Sequence, residues 1–155
     1  MIETDITRLL VKNGVQYKIL PQVSGTTQVE DAAKQRGISP SIMVKCIALR
    51  DMSNRYALAC VPGDKQVDPK KVRSILGWRR MTCVDKDDVL ALTGFALGTV
   101  TPIKLATPMT IVFDRAISDN KKVTISSGDS RAGLLLEYQA LVTLASPVLG
   151  DISRD

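Results

Sequence analysis

The chain reads as a single α+β domain, with a mixed, mostly antiparallel sheet or a partly closed barrel and flanking helices. Three observations predict this. Its 155 residues match the usual length of one domain, and no linker, repeat or low-complexity tract divides them, so 1–155 is expected to be one unit. Strand-like and helix-like stretches alternate without a regular βαβ rhythm. Several strands are joined by turns too short for a crossover, which implies antiparallel pairing.

The elements follow in order. Asp5 to Asn13 places Ile6, Leu9 and Leu10 on one helical face and stops at Gly14. Val15 to Leu20 reads as a strand ending at Pro21, and Gln22 to Gly25 as a loop. Thr26 or Thr27 can cap a helix over Gln28 to Arg36, closed by Gly37. Ile42 to Arg50 is the strongest strand signal; Asp51 to Asn54 is hairpin-turn chemistry, and Tyr56 to Val61 returns. Asp68 and Pro69 are a helix start and Gly77 its end. Thr82 to Val84 is a short strand, and a short helix runs to Leu92 with Asp85, Asp87 and Asp88 near its positive end. Met109 to Phe113 and Lys122 to Ile125 read as strands around a turn at Ser118 to Asn120. Ala132 to Leu136 reads as a further strand and Tyr138 to Leu144 as a helix.

Composition removes several classes. Hydrophobic residues make up 45% and charged residues 24%, which argues for a packed core and against disorder. No apolar run of about 18 residues is present, and Glu3 and Asp5 spoil any secretory leader, so neither a membrane nor secretion is expected. Cys46, Cys60 and Cys83 are odd in number and widely spaced, matching neither a disulfide framework nor zinc ligands; a reducing cytoplasm is the expected compartment. There is no histidine. That excludes Ser-His-Asp and Cys-His catalysis and histidine-bound metal, leaving lysine, carboxylate, hydroxyl, thiol, backbone amides or the substrate itself. The net charge of +5 favours approach to a polyanion such as RNA, although a well-solvated surface is the plainer reading of that charge.

Three segments can carry chemistry. In Ile42 to Leu49, alternation puts Met43, Lys45, Ile47 and Leu49 on one face and Ile42, Val44, Cys46 and Ala48 on the other. Both faces are apolar, so a central strand is expected, and Lys45 within it is costly unless it has a partner, a cavity or a ligand. A lysine there can also snorkel past the strand edge. The loop Gly94 to Pro102 is rich in small residues, so its amides can approach a ligand closely, although many such loops are plain turns. It lacks a P-loop's Gly-Lys-Ser/Thr ending. The stretch Ile125 to Gly133 is a strand-to-loop junction holding hydroxyls and Arg131 that could position a ligand, although on its own it reads as a plain Ser/Gly turn. Cys60 and Cys83 read as small core residues, and Trp78 either caps the core after Gly77 or stacks on a base.

Taken together and in this order, VKCIAL with Lys45, VPGDKQVDPKKVRSILG, LTGFALGTVTP with its Gly98-to-Pro102 loop, and ISSG followed by RAGLLLE resemble the YbaK/ProX family of aminoacyl-tRNA deacylases. That family includes Cys-tRNA(Pro) deacylases and free-standing relatives of the prolyl-tRNA synthetase editing domain. The resemblance runs from about Asn13 to the tail VLGDISRD. It implies hydrolysis of the ester joining a wrong, small amino acid to tRNA, with water as nucleophile and no cofactor or metal. The implied roles are Lys45 orienting the ester, amides of Gly98, Thr99, Val100, Thr101 and Pro102's loop stabilising it, and Ser126, Ser127 and Gly128 lining the pocket. The implied partners are aminoacyl-tRNA and, optionally, prolyl-tRNA synthetase; DNA is not among them. Relatives that act on Ala-tRNA(Pro) often carry asparagine after the lysine and histidine near ISSG, where this chain has Cys46 and Ser127 or Gly128. Alanine specificity therefore does not carry over directly. The loop PQVSGTT also lacks the tyrosine or histidine of some members. A non-catalytic tRNA- or synthetase-binding module, and a small-molecule ester hydrolase, are the alternatives.

Overall fold

The structure, a computed structural model, describes residues 2–22 and 29–155. Helix α1 (Asp5–Lys12) starts on a reciprocal cap: the Thr7 amide donates to Thr4 Oγ1 at 3.3 Å and the Thr4 amide to Thr7 Oγ1 at 2.8 Å. Strand β1 (Tyr17–Pro21) follows, and then helix α2 (Val29–Arg36). The expected caps Thr26 and Thr27, Gln28 and most of the preceding loop lie outside the described residues.

Strand β2 (Val44–Asp51) begins two residues later than alternation predicts, because Pro40–Ile42 form a 3-10 turn capped by Ser39. The hairpin to β3 (Tyr56–Pro62) is held by Asp51, whose Oδ1 accepts from the Ser53 and Arg55 amides. Helix α3 (Pro69–Leu76) is bounded as expected by Asp68, whose side chain accepts from the Lys70 amide, and by Gly77 at φ 67°. Strand β4 (Met81–Cys83), a 3-10 turn, helix α4 (Val89–Thr93), strands β5 (Thr110–Asp114), β6 (Lys122–Ser126) and β7 (Ala132–Glu137), helix α5 (Tyr138–Ala145) and strand β8 (Val148–Gly150) complete the order.

Two sheets result. One is antiparallel, in the order β1-β7-β6; the other is mixed, in the order β4-β2-β3-β5-β8, with β3-β5 and β5-β8 parallel. A parallel bridge between Met43 and Thr124 joins them, which gives the partly closed form. Alternation along β3 feeds two cores. Leu58 and Cys60 join Ile6, Leu10, Phe113, Ile125, Leu134 and Leu141 between the sheets. Ala57, Ala59 and Val61 join Leu49, Val72 and Ile152 on the far face, beneath α3. Each buried Leu or Ile adds about 1.5–3 kcal/mol.

Trp78 caps the second core, with the Arg55 guanidinium 4.6 Å above its ring. Cys60 is buried as expected, whereas Cys83 is exposed, because the three-residue β4 covers only the end of β2.

Candidate active site

β4 does not run the length of β2. It pairs with Leu49, Arg50 and Asp51, and the Val84 amide then donates to the Ala48 carbonyl at 2.9 Å. Beyond that point, among the described residues, no strand pairs with this side of residues 44–47. The strand is therefore central at one end and an edge at the other, which corrects the fully central placement. The open edge faces a cavity of about 430 Å³, a size usual for small-ligand sites. Because the cavity runs along an edge, consecutive residues 43–48 all line it, so Lys45 and Cys46 both reach it although they point to opposite faces.

The opposite wall comes from Thr124 and Ser126 of β6, which share a strand face. Gly98 and Val100 enter from the loop after α4, and Ala32 and Arg36, one turn apart on α2, close a third side. Cys83, Val84, Lys86, Val89 and Leu97, with Ile125 of β6, complete the rim. Among the described residues, the lining holds three cations, Arg36, Lys45 and Lys86, and no carboxylate.

Of the expected site residues, Lys45, Gly98, Val100 and Ser126 meet at this cavity. Thr99, Thr101, Pro102, Ser127 and Gly128 do not line it. Thr99 is buried, and both its amide and its hydroxyl donate to the Ala96 carbonyl, at 2.9 and 2.8 Å, so that amide is not available to a ligand. Among the described residues no acceptor engages the Gly98 and Val100 amides. Gly98 sits at φ 85°, a left-handed conformation that favours glycine. Thr101 and Pro102 are buried beneath the loop.

The serine pair divides in the same way. Ser126 Oγ accepts from the Gly128 amide at 3.0 Å, which leaves its own proton to donate into the cavity. Ser127 is fully buried, and its hydroxyl donates to the Ala132 carbonyl at 2.7 Å, holding the turn. The Ser127 carbonyl accepts from Thr4 Oγ1 at 2.7 Å, which ties the start of α1 to this junction.

Cys46 lies directly across from Cys60, with the sulfurs 3.4 Å apart. Burial pushes the Cys60 thiol well up, so it stays protonated and is a poor nucleophile. Among the described residues no group of three or more histidine, cysteine or acidic side chains could hold a metal ion, and no helix is long and apolar enough to cross a membrane.

Arg36 and Thr124 were not anticipated. Arg36 precedes Gly37, where a basic residue reads as an ordinary complement to the helix dipole. Thr124 was within reach of the sequence, since alternation places it on the face of Ser126.

A family model described as an aminoacyl-tRNA editing domain matches residues 23–144. The chain is 26% identical over 133 residues to the uncharacterized protein YwhH of Bacillus subtilis, covering 85% of this chain and 84% of that protein. It is 24% identical over 102 residues to the proline–tRNA ligase of Trichlorobacter lovleyi, matching 66% of this chain but only 18% of the ligase. Among solved structures, hypothetical protein APE2540 superposes with a TM-score of 0.89 at 26% identity, over 97% of this chain and 100% of that one. A candidate trans-editing enzyme for prolyl tRNA synthetase superposes with a TM-score of 0.86 at 22% identity over the whole of both chains, a likeness of fold.

Proposed function

The chain belongs to the aminoacyl-tRNA editing domain family, and on that footing we propose that it is a trans-editing hydrolase that deacylates tRNA carrying a small wrong amino acid, such as cysteine or alanine on tRNA(Pro). The observation that carries this reading is the lining of the cavity among the described residues: three cations, two unengaged loop amides and no carboxylate. Such a lining suits a substrate that arrives on a polyanion and reacts through a developing oxyanion.

In this reading the oxygen of a water forms a bond to the ester carbonyl carbon. The carbonyl oxygen takes the negative charge, facing Lys45 and the Gly98 and Val100 amides. The bond to the ribose oxygen then breaks, and a proton from the water passes to that oxygen, freeing the amino acid and the tRNA hydroxyl. With no histidine in the chain and no carboxylate among the described lining residues, groups of the substrate help to move that proton. Ser126 donates to the substrate from the far wall.

A second sieve is needed because a synthetase pocket separates side chains by only about 1–3 kcal/mol per methylene. Apolar rim residues such as Val84 and Val89 limit what enters here. Prolyl-tRNA synthetase is the partner that would release such substrates.

Deacylation of a panel of mischarged tRNAs by the purified protein tests the reading. Faster hydrolysis of at least one small aminoacyl ester than of cognate Pro-tRNA(Pro) is expected. Binding without turnover across the panel would sink it in favour of a binding module.

A further inference from the structure

We propose that Arg36 grips the phosphodiester preceding the terminal nucleoside, so that the cavity reads the end of a nucleic acid as well as an aminoacyl ester; this rests on the editing reading above. Arg36 lines the cavity from the last turn of α2. Its guanidinium lies over Gly133 of β7, where an added Cβ would sit 2.6 Å from Nη1 and 2.8 Å from Cζ. Gly133 is the register partner of Ser126. Glycine at that rung is what leaves room for the guanidinium beside a lining hydroxyl.

Among the described residues, nothing neutralises the cation there. Arg36 Nε is buried without a hydrogen-bond partner, and among the described residues no carboxylate forms an ion pair with it. Burial lowers its pKa, yet an arginine stays charged. Thr124, 1% exposed and also lining the cavity, likewise leaves Oγ1 without a partner. A buried donor left unmade is destabilising, and more so when charged. A ligand oxyanion would satisfy both.

The chemistry of the substrate selects which oxyanion. An aminoacyl ester has no carboxylate, and its α-amine is basic and disfavoured beside three cations. The anion attached to the same ribose as the ester is the 5′ phosphodiester, and a guanidinium fork matches it.

The test is equilibrium binding of non-hydrolysable 3′-alanylamino-3′-deoxyadenosine with and without a 5′-methylphosphate. Wild type is expected to bind the phosphorylated ligand roughly tenfold tighter, about 1.4 kcal/mol. In Arg36→Gln the two ligands should bind alike, Arg36→Lys should keep part of the preference, and Gly133→Ala should weaken it by displacing the guanidinium. Equal affinities in wild type, an undiminished preference in Arg36→Gln, or no binding of either ligand would overturn the assignment. Deacylation of mischarged tRNA by wild type is scored separately: turnover with equal ligand affinities removes only Arg36's role, whereas no turnover removes the editing reading itself.

Discussion

Ser126 and Ser127 differ by one position and end in opposite roles, because alternation turns one into the cavity and the other into the turn beneath it. Ser127→Ala should therefore lower stability by about 1–3 kcal/mol in denaturant unfolding, since it removes the donor to a buried carbonyl. Ser126→Ala should instead lower kcat/KM for deacylation while moving the unfolding midpoint little. The family resemblance implied a pocket role for both serines, but a hydroxyl's direction at the end of a strand depends on the turn that follows. In that turn, Asp129 is drawn to a pKa of about 2, first by the Arg131 side chain and then by the Arg131 amide. A folded-state pKa below the unfolded one adds stability above the ordinary carboxylate range and loses it as pH falls toward 2. The stability gap between wild type and Asp129→Asn should thus be present near neutrality and close between about pH 4 and pH 2, as followed by thermal unfolding. A gap independent of pH would contradict this.

The elements that sequence reading located are those whose signals are local. The hairpin of β2 and β3 shows in its alternation and in the Asp51 turn, and α3 in its Asp68-Pro69 start and Gly77 stop. Strand β8 was missed. Its three residues pair in parallel with β5, from Val112↔Val148 to Asp114↔Gly150, and such a contact leaves no periodicity to read. The tail beyond it is held by Asp114, whose Oδ1 accepts from the Ile152 and Ser153 amides at 2.9 and 3.2 Å, and by Lys71, which donates to the Ser153 carbonyl at 2.7 Å. Asp114→Ala should cost about 3 kcal/mol by stranding buried amides. Hydrogen exchange should speed up at residues 152 and 153, while KM for deacylation stays put, because Asp114, Ile152 and Ser153 do not line the cavity. Protection unchanged at those amides would refute this role for Asp114.

At the scale of the molecule, the α+β class and the YbaK-like fold were legible because hairpins, caps and four ordered motifs agree with one another. Part of the candidate site was legible too. Lys45 stood out as a cation in an apolar strand, while Gly98 and Ser126 lay in segments that also read as plain turns and were singled out by the family resemblance. The structure adds why Lys45 is tolerated: β4 stops short, β2 becomes an edge, and the lysine opens onto a cavity. Arg36 stayed hidden because the fold, not spacing, brings α2 to that edge, whereas Thr124 could have been read from its alternation with Ser126. The central claim is that this cationic cavity hydrolyses the aminoacyl ester through Lys45. Single-turnover deacylation of a mischarged small-aminoacyl tRNA by wild type and Lys45→Ala, with circular dichroism to verify the fold, tests it most directly. A fall in rate of about 10²–10³ in a folded variant is the expected result; equal rates in the two proteins would contradict it.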